Sequence, residues 1–290
     1  MQGIRELKRR IKSIRNTQQI TKAMHMVAAA KLRRARERAE NFRPYINAIR
    51  DLLVDVAAEL SEAGHPLVKS RKVNKAAYIV ITGDRGLSGG YNISVIKEAL
   101  NHKRKDDAEK AFIAVGQKGK NYFRRKGYAL LGEFSYIDEE ISRSDARVIA
   151  SSVFQLYEQN TVEEVNLVYT EFVTTLQQSP KVIKILPVDL PEKGKETPEG
   201  KPSGIYLYEP SVEEILDKLI PSYITSQLYA ALLEAKASEL AARMAAMDSA
   251  TQNAEKLIDE LSLTYNRARQ AGITKEISEV VGGAEALREK

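Results

Sequence analysis

A glycine-rich stretch, Gly83–Asn92 (GDRGLSGGYN), follows an apolar run and precedes a helical one. That is where a phosphate-cradling loop sits in a strand–loop–helix unit. Its glycines at 83, 86, 89 and 90 do not give G-x-G-x-x-G, and the Lys-Ser or Lys-Thr pair of a P-loop is missing. The same residues also read as a tight βα turn, with Asn92 or Ser94 near the helix start. Other chemistry is harder to assemble. The chain has no Cys, which excludes a disulfide scaffold, a thiol nucleophile, a Cys-ligated zinc and an iron–sulfur cluster. Its three His, at 25, 65 and 102, are far apart and form no H-x-x-x-H pair, so no metal site is expected. The paired acids Glu139 and Glu140 have no partner chemistry nearby, and no Ser/His/Asp constellation can be drawn. The inventory points to a mechanical or scaffolding part, with no catalytic residue, cofactor or metal of its own.

The charge is concentrated rather than general. The 290 residues carry a net +6, but residues 1–40 hold twelve Lys and Arg against Glu6, Glu37 and Glu40, a local +9. The remainder is therefore −3. Arg9, Arg10, Lys12, Arg15, Arg33, Arg34, Arg36 and Arg38 fit three readings. They could track nucleic acid, although no aromatic residue lies among them for base stacking. They could be the solvated flank of a coiled coil, or a track for acidic protein loops. The Arg243, Asp248, Thr251, Gln252, Asn253 stretch places polar groups on an otherwise Ala-rich segment. That is a wet face, or contact with a surrounding ring.

These residues need elements to hold them. From Ile4, alternating steps of three and four reach Leu7, Ile11, Ile14, Gln18, Thr21, His25, Ala28, Leu32, Ala35, Ala39, Phe42, Ile46, Ile49, Leu53 and Val56. Thirteen of these sixteen positions are apolar, the pattern of a coiled-coil seam over residues 1–58. Gln18, Thr21 and His25 make the seam weak at one place, where a register shift could occur. Pro44 is expected to kink the helix without ending it. Residues 76–208 alternate strands (76–82, 111–115, 128–131, 164–174, 181–187) with helices (93–105, 118–125, 144–160). That predicts a small α/β (Rossmann-like) domain. Its helices are expected to turn Ile93, Ile96 and Leu100, and Val148, Ile149, Val153 and Leu156, inward. Residues 189–203 read as a surface loop. From 209 to 290 the chain is helical, with Ser211 as N-cap, Glu213 and Glu214 in the first turn, Pro221 inside, and an end at Gly282–Gly283. Apolar positions recur through Ile224, Leu228, Ala231, Ala235, Ala242, Ala245, Leu257, Leu261, Ala268, Ile273 and Ile277. If the two terminal seams pair, they are antiparallel, with the α/β domain at one end of the rod. The last helix then overhangs the first by about 24 Å. Exposed Ile273, Ile277, Val280 and Val281 on that tip imply a socket supplied by other subunits. No run of 18 apolar residues is present to span a membrane.

Ile20–Ala35 (ITKAMHMVAAAKLRRA), Gly83–Asn92, Glu234–Ala254 (EAKASELAARMAAMDSATQNA) and Leu261–Leu287 (LSLTYNRARQAGITKEISEVVGGAEAL) resemble signature blocks of the gamma subunit of F-type ATP synthase, bacterial type. The resemblance covers nearly the whole chain. It implies a central rotor stalk that transmits torque between a proton-driven c-ring and a catalytic ring of three alpha and three beta subunits. The α/β domain would bind epsilon and rest on the c-ring. The chain would be a non-catalytic subunit of a proton-transporting ATP synthase, peripheral to the cell membrane on its cytoplasmic side, touching the membrane only through the complex. By the same resemblance, Arg9, Arg10, Lys12, Lys22 and Met24 lie near acidic loops of beta. Arg243 and Gln252 match positions that contact a beta loop, and Gln270, Thr274 and Glu276 match polar positions near the tip. His25 departs from the family, where many members carry an acid. The competing reading is a non-rotary coiled-coil adaptor that uses its basic helix on nucleic acid. A nucleotide-binding enzyme built on the 83–92 loop is the third.

Overall fold

The computed structural model describes residues 3–57, 67–68, 71–103, 108–135, 140–189, 209 and 211–288. His65, Glu139 and most of the 189–203 loop lie outside the described residues. In chain order the elements are α1 (Ile4–Ala57), β1 (Lys75–Ile81), α2 (Tyr91–Asn101), β2 (Glu109–Val115), α3 (Gln117–Lys126), β3 (Leu130–Phe134), α4 (Arg143–Glu158), β4 (Glu164–Phe172), β5 (Gln178–Leu186) and α5 (Val212–Arg288). The chain divides into two compact units, residues 29–243 and residues 1–28 with 244–290.

The larger unit is built on a five-stranded sheet of order β3-β2-β1-β4-β5, parallel except for β5. Strand β1 sits at its centre and is apolar and buried from Ala76 to Ile81, as a strand covered on both faces must be. Its Ala77, Ile79 and Ile81 join a core under α4 and the sheet-side stretches of α1 and α5, with Leu53, Val56, Ile149, Val153, Leu216, Ile220 and Leu228. The alternate residues Ala76, Tyr78 and Val80 face α2 and α3, where Val95, Ile96, Phe112 and Phe123 pack. Each fully buried side chain of this size contributes roughly 1.5–3 kcal/mol of transfer free energy.

Two helical faces differ from the sequence pattern. Ile93 and Val148, both expected inside, are 42% and 59% exposed. Helix α2 buries Tyr91, Val95, Ile96 and Ala99, and Ile93 lies about 130° from the centre of that face. Helix α4 buries Ala146, Ile149, Ala150, Val153 and Tyr157, a stripe that leaves Val148 on the opposite side. Each packed face mixes Ala with Val, Ile and Tyr, so residue type alone does not mark it, and it is the position around the helix that leaves Ile93 and Val148 outside.

Helix α5 begins as its sequence suggests, with the Glu214 amide donating to Ser211 Oγ at 3.2 Å. It runs unbroken through Pro221 and past Gly282–Gly283 to Arg288, rather than ending at the glycines. Two glycines cost about 1 kcal/mol each, and the Ala, Glu, Leu and Arg residues that follow are strong helix formers. Between Ile224 and Ala241 the helix is buried or half-buried on every side. A segment buried on all sides, with the polar residues Ser226, Ser238 and Glu239 buried too, is a core helix.

In the smaller unit α1 and α5 pair antiparallel. Thr21 Oγ1 lies 2.7 Å from Thr251 Oγ1, and a Cβ on Gly272 would sit 3.5 Å from Ile4 Cδ1. On α1 the expected seam is buried or half-buried from Leu7 to Ala28, with no break in register at Gln18, Thr21 and His25. Only Ile4, at its end, is more exposed, at 37%. On α5 the seam is Met247, Thr251, Ala254, Ile258, Leu261, Tyr265, Ala268 and Gly272. Ala245 and Ile273, placed on it by the sequence pattern, are exposed, and Leu257 is 47% exposed. In a helix with Ala on several faces the apolar pattern alone does not single out the seam.

Candidate partner-contact surface

The weak patch of the α1 seam is held together by polar chemistry. Each of Thr21 and Thr251 has its hydroxyl near a carbonyl of its own helix, Gln18 O at 3.0 Å and Met247 O at 2.8 Å, as well as near the other hydroxyl. A hydroxyl has one proton. One of the two therefore donates to its own carbonyl and the other donates across the helices. Thr21 is 8% exposed, so this bond replaces hydration the seam cannot offer.

Outside the seam the unit presents cations. Arg9, Arg10, Lys12 and Lys22 are exposed and Met24 is half-buried beside them. None of the four basic side chains pairs with an acid among the described residues. Gln252 is exposed and its amide donates to Asp248 at 2.9 Å. Gln270, Thr274 and Glu276 are exposed near the free end of α5. From Ile273 to Ala284 every described side chain is exposed, including Ile273, Ile277, Val280 and Val281 at 49, 58, 73 and 56%.

Arg243 belongs to the larger unit and is not a free cation. Its side chain is 13% exposed, pairs with Glu239 on the preceding turn, and donates to the Gly86 carbonyl at 3.3 Å. The structure thus gathers nine of the ten sequence-derived contact residues on the two-helix unit and leaves Arg243 locked against the 83–92 turn. It also exposes an apolar group the sequence reading passed over: Ile20, Met26 and Val27 are 60, 57 and 53% exposed beside Lys22. The signal was present, since a seam through Thr21, His25 and Ala28 points these three outward.

The basic residues farther along α1 are used locally. Arg33 and Arg36 pair with Glu37 and Glu40 one turn on, and Arg38 with Glu140. Pairs as exposed as these hold their side chains only weakly.

The 83–92 turn is closed to nucleotide by the protein's own groups. Asn92 Oδ1 accepts the Gly83 amide at 2.8 Å, and Asp84 Oδ1 accepts the Gln117 amide at the start of α3 at 2.8 Å. Glu239 lies so close to Gly83 that a Cβ there would be 2.7 Å from its carboxylate. Tyr91 donates to the Ala235 carbonyl and Ser238 to the Thr170 carbonyl, at 3.0 and 2.9 Å. Burial, with the Glu239 charge adding, pushes the Tyr91 phenol well above its ordinary range. What space remains is a cavity of about 40 Å³ between the ends of β1 and β2 and α5. Helix α5 has filled the crevice at the strand ends where open α/β sheets take ligands.

A family model described as ATP synthase matches residues 3–287. The chain is 50% identical to an ATP synthase gamma chain of Alkaliphilus metalliredigens, over 99% of both chains. It is 49% identical to that of Heliobacterium modesticaldum, over 99% of this chain and 100% of the relative. Among solved structures it is similar to a chain in the central stalk and c-ring of Tetrahymena thermophila mitochondrial ATP synthase. That match has a TM-score of 0.58 at 25% identity and covers 80% of this chain and 99% of the other. A rotor chain of the Euglena gracilis mitochondrial enzyme shares the fold at TM-score 0.67 and 19% identity, over 93% and 98%.

Proposed function

The chain belongs to the ATP synthase gamma family, and from that premise we propose that it is the central rotor stalk of an F-type ATP synthase. It carries torque between a proton-driven c-ring and a catalytic ring of three alpha and three beta subunits, with epsilon bound to its α/β domain. The observation that carries the reading is the identity of half of all residues to a gamma chain over 99% of both lengths. The paired helices supply a surface suited to the task. A shaft must release each contact as it turns, and solvated cations worth about 0–1 kcal/mol apiece form contacts that let go. In this reading Arg9, Arg10, Lys12, Lys22 and Met24 meet acidic loops of beta, joined by Gln252. Gln270, Thr274 and Glu276 act at the tip, inside a sleeve that covers Ile273, Ile277, Val280 and Val281. Arg243 contributes through the N–H groups that its pairing with Glu239 and Gly86 leaves over, since a guanidinium has five.

We place the protein as a peripheral component on the cytoplasmic side of the cell membrane, held there by the complex. No helix among the described residues is long and apolar enough to cross a membrane. In this reading residues 1–58 and 209–290 form the coiled-coil shaft and residues 76–208 the foot, with Leu53, Val56, Leu216, Ile220 and Leu228 of the two helices built into the foot's core. The nucleic-acid adaptor reading loses to the full-length family match. Reconstitution with alpha and beta subunits tests the proposal. An assembled complex should hydrolyse ATP and rotate a probe fixed to the α/β domain, and failure to assemble or to rotate would overturn it.

A further inference from the structure

An open groove of about 360 Å³ lies between α1, α4 and α5 in the larger unit. Its walls include Arg143 and Arg147 of α4, the rings of Tyr45, Phe154 and Tyr229, and the hydroxyl residue Ser226. Among the described residues that line it, none is acidic. Neither guanidinium has a carboxylate partner among the described residues, and the nearest acid on α4, Asp145, is turned onto the Ser142 amide at 2.7 Å as part of a capping box. The Arg143 guanidinium lies over two rings, 4.3 Å from the Tyr45 ring centre and 5.2 Å from that of Phe42. Arg147 follows one turn later on the same face of the helix.

We propose that this groove is an oxyanion site in which Arg143 and Arg147 clamp a phosphoryl group. A guanidinium fork matches two phosphoryl oxygens at once. Stacking on Tyr45 and Phe42 has already removed much of the freedom that Arg143 would lose on binding. The positive end of α4 adds to the attraction, because Arg143 is its first residue. The volume is at the small end of the range for ligand pockets and has room for a phosphate or a diphosphate. The group can arrive free in solution or as the headgroup of an anionic lipid.

The test uses the full chain at low salt with two probes, calorimetric titration of inorganic pyrophosphate and capture on phosphatidylcholine vesicles with or without phosphatidylglycerol. Because residues 1–40 carry +9 and attract any anion, the quantity read is the difference from Arg143→Gln/Arg147→Gln, with Arg9→Gln/Arg10→Gln as control. Binding of at least one probe should fall by about tenfold or more in the groove variant, and stay within about threefold of the parent in the control. Arg143→Lys/Arg147→Lys, which keeps the charge but loses the fork, should fall between. Loss of pyrophosphate binding alone identifies a soluble ligand, and loss of vesicle capture alone a lipid headgroup. If neither probe distinguishes the groove variant from the parent, or the control loses as much, the site does not exist. Both arginines are exposed, and unchanged helicity by circular dichroism confirms that the variants fold.

Discussion

The bond between Thr21 and Thr251 is the clearest case of a single contact deciding how two elements meet. Removing one hydroxyl leaves the other with its own carbonyl as its one partner, at a cost of about 1 kcal/mol, whereas replacing both keeps shape and removes the need. Thr251→Val should therefore lower the melting temperature of the chain, and Thr21→Val/Thr251→Val should recover part of that loss. A double variant as unstable as the sum of the two singles would show that the hydroxyls do not interact. Gly116 makes a sharper prediction. Its φ is +99° and a Cβ would lie 2.1 Å from the Thr82 carbonyl oxygen, so Gly116→Ala should leave little folded chain, while Gly86→Ala, with its nearest neighbour 3.7 Å away on Lys118, should fold. Glu234 sets a pH dependence. Burial raises its pKa, partly offset by Lys181 and Arg43, and its Oε2 has no partner among the described residues. A raised folded-state pKa means that the folded chain holds this proton more tightly than the unfolded one. The contribution is favourable in acid and is lost as pH rises from the unfolded value towards the folded one. Glu234→Gln should raise the melting temperature at pH 7 and flatten its dependence on pH just above the ordinary carboxylate range.

At the scale of elements, the α1 seam was legible and the α5 seam was not, and the difference is physical. On α1 most of the large apolar residues fall on one line, which steps of three and four trace from Ile4 to Val56, and Ile20, Met26 and Val27 lie off it. On α5 alanine occurs on every face, and the helix passes from a segment buried all round, Ile224–Ala241, into a two-helix pair with one buried stripe. A single periodicity cannot describe both environments. The strands and the βα turn were legible because β1, β2 and β4 are short apolar runs bounded by polar or Gly-rich stretches. The locked state of Arg243 was not, because it depends on Glu239 meeting Gly83 and on Arg243 itself meeting Gly86, each more than 150 positions away in the chain. The corrected α5 seam can be tested directly. Ile258 is 9% exposed and Leu257 is 47% exposed. Ile258→Ala should cost about 2 kcal/mol or more in denaturant unfolding. Leu257→Ala should stay within about 0.5 kcal/mol of the parent, and equal effects would return the seam to Leu257.

For the whole molecule, the decisive observation is how little of the end of α5 the chain itself employs. Beyond Gly272, which still meets Ile4, the helix continues to Arg288, about 24 Å. Its described side chains are exposed, with four Ile and Val among them. Apolar surface of that extent is costly in water and is kept where a partner covers it. If the sleeve is supplied by the alpha and beta subunits, removing residues 273–290 has two separable consequences. The melting temperature of the isolated chain should not fall, because the lost side chains pack against nothing described within it. The assembled complex should lose stability, and ATP-driven rotation should slow or slip, because the end of the shaft is no longer held on its axis. The basic face separates from the tip in the same assay. Arg9→Gln/Arg10→Gln should weaken assembly at low salt and match the parent near 1 M salt, where the screening length is about 3 Å. A truncated chain that melts lower than the parent yet assembles and rotates normally would mean that the tip serves the chain's own folding. The socket would then have to be abandoned while the rotor assignment stood.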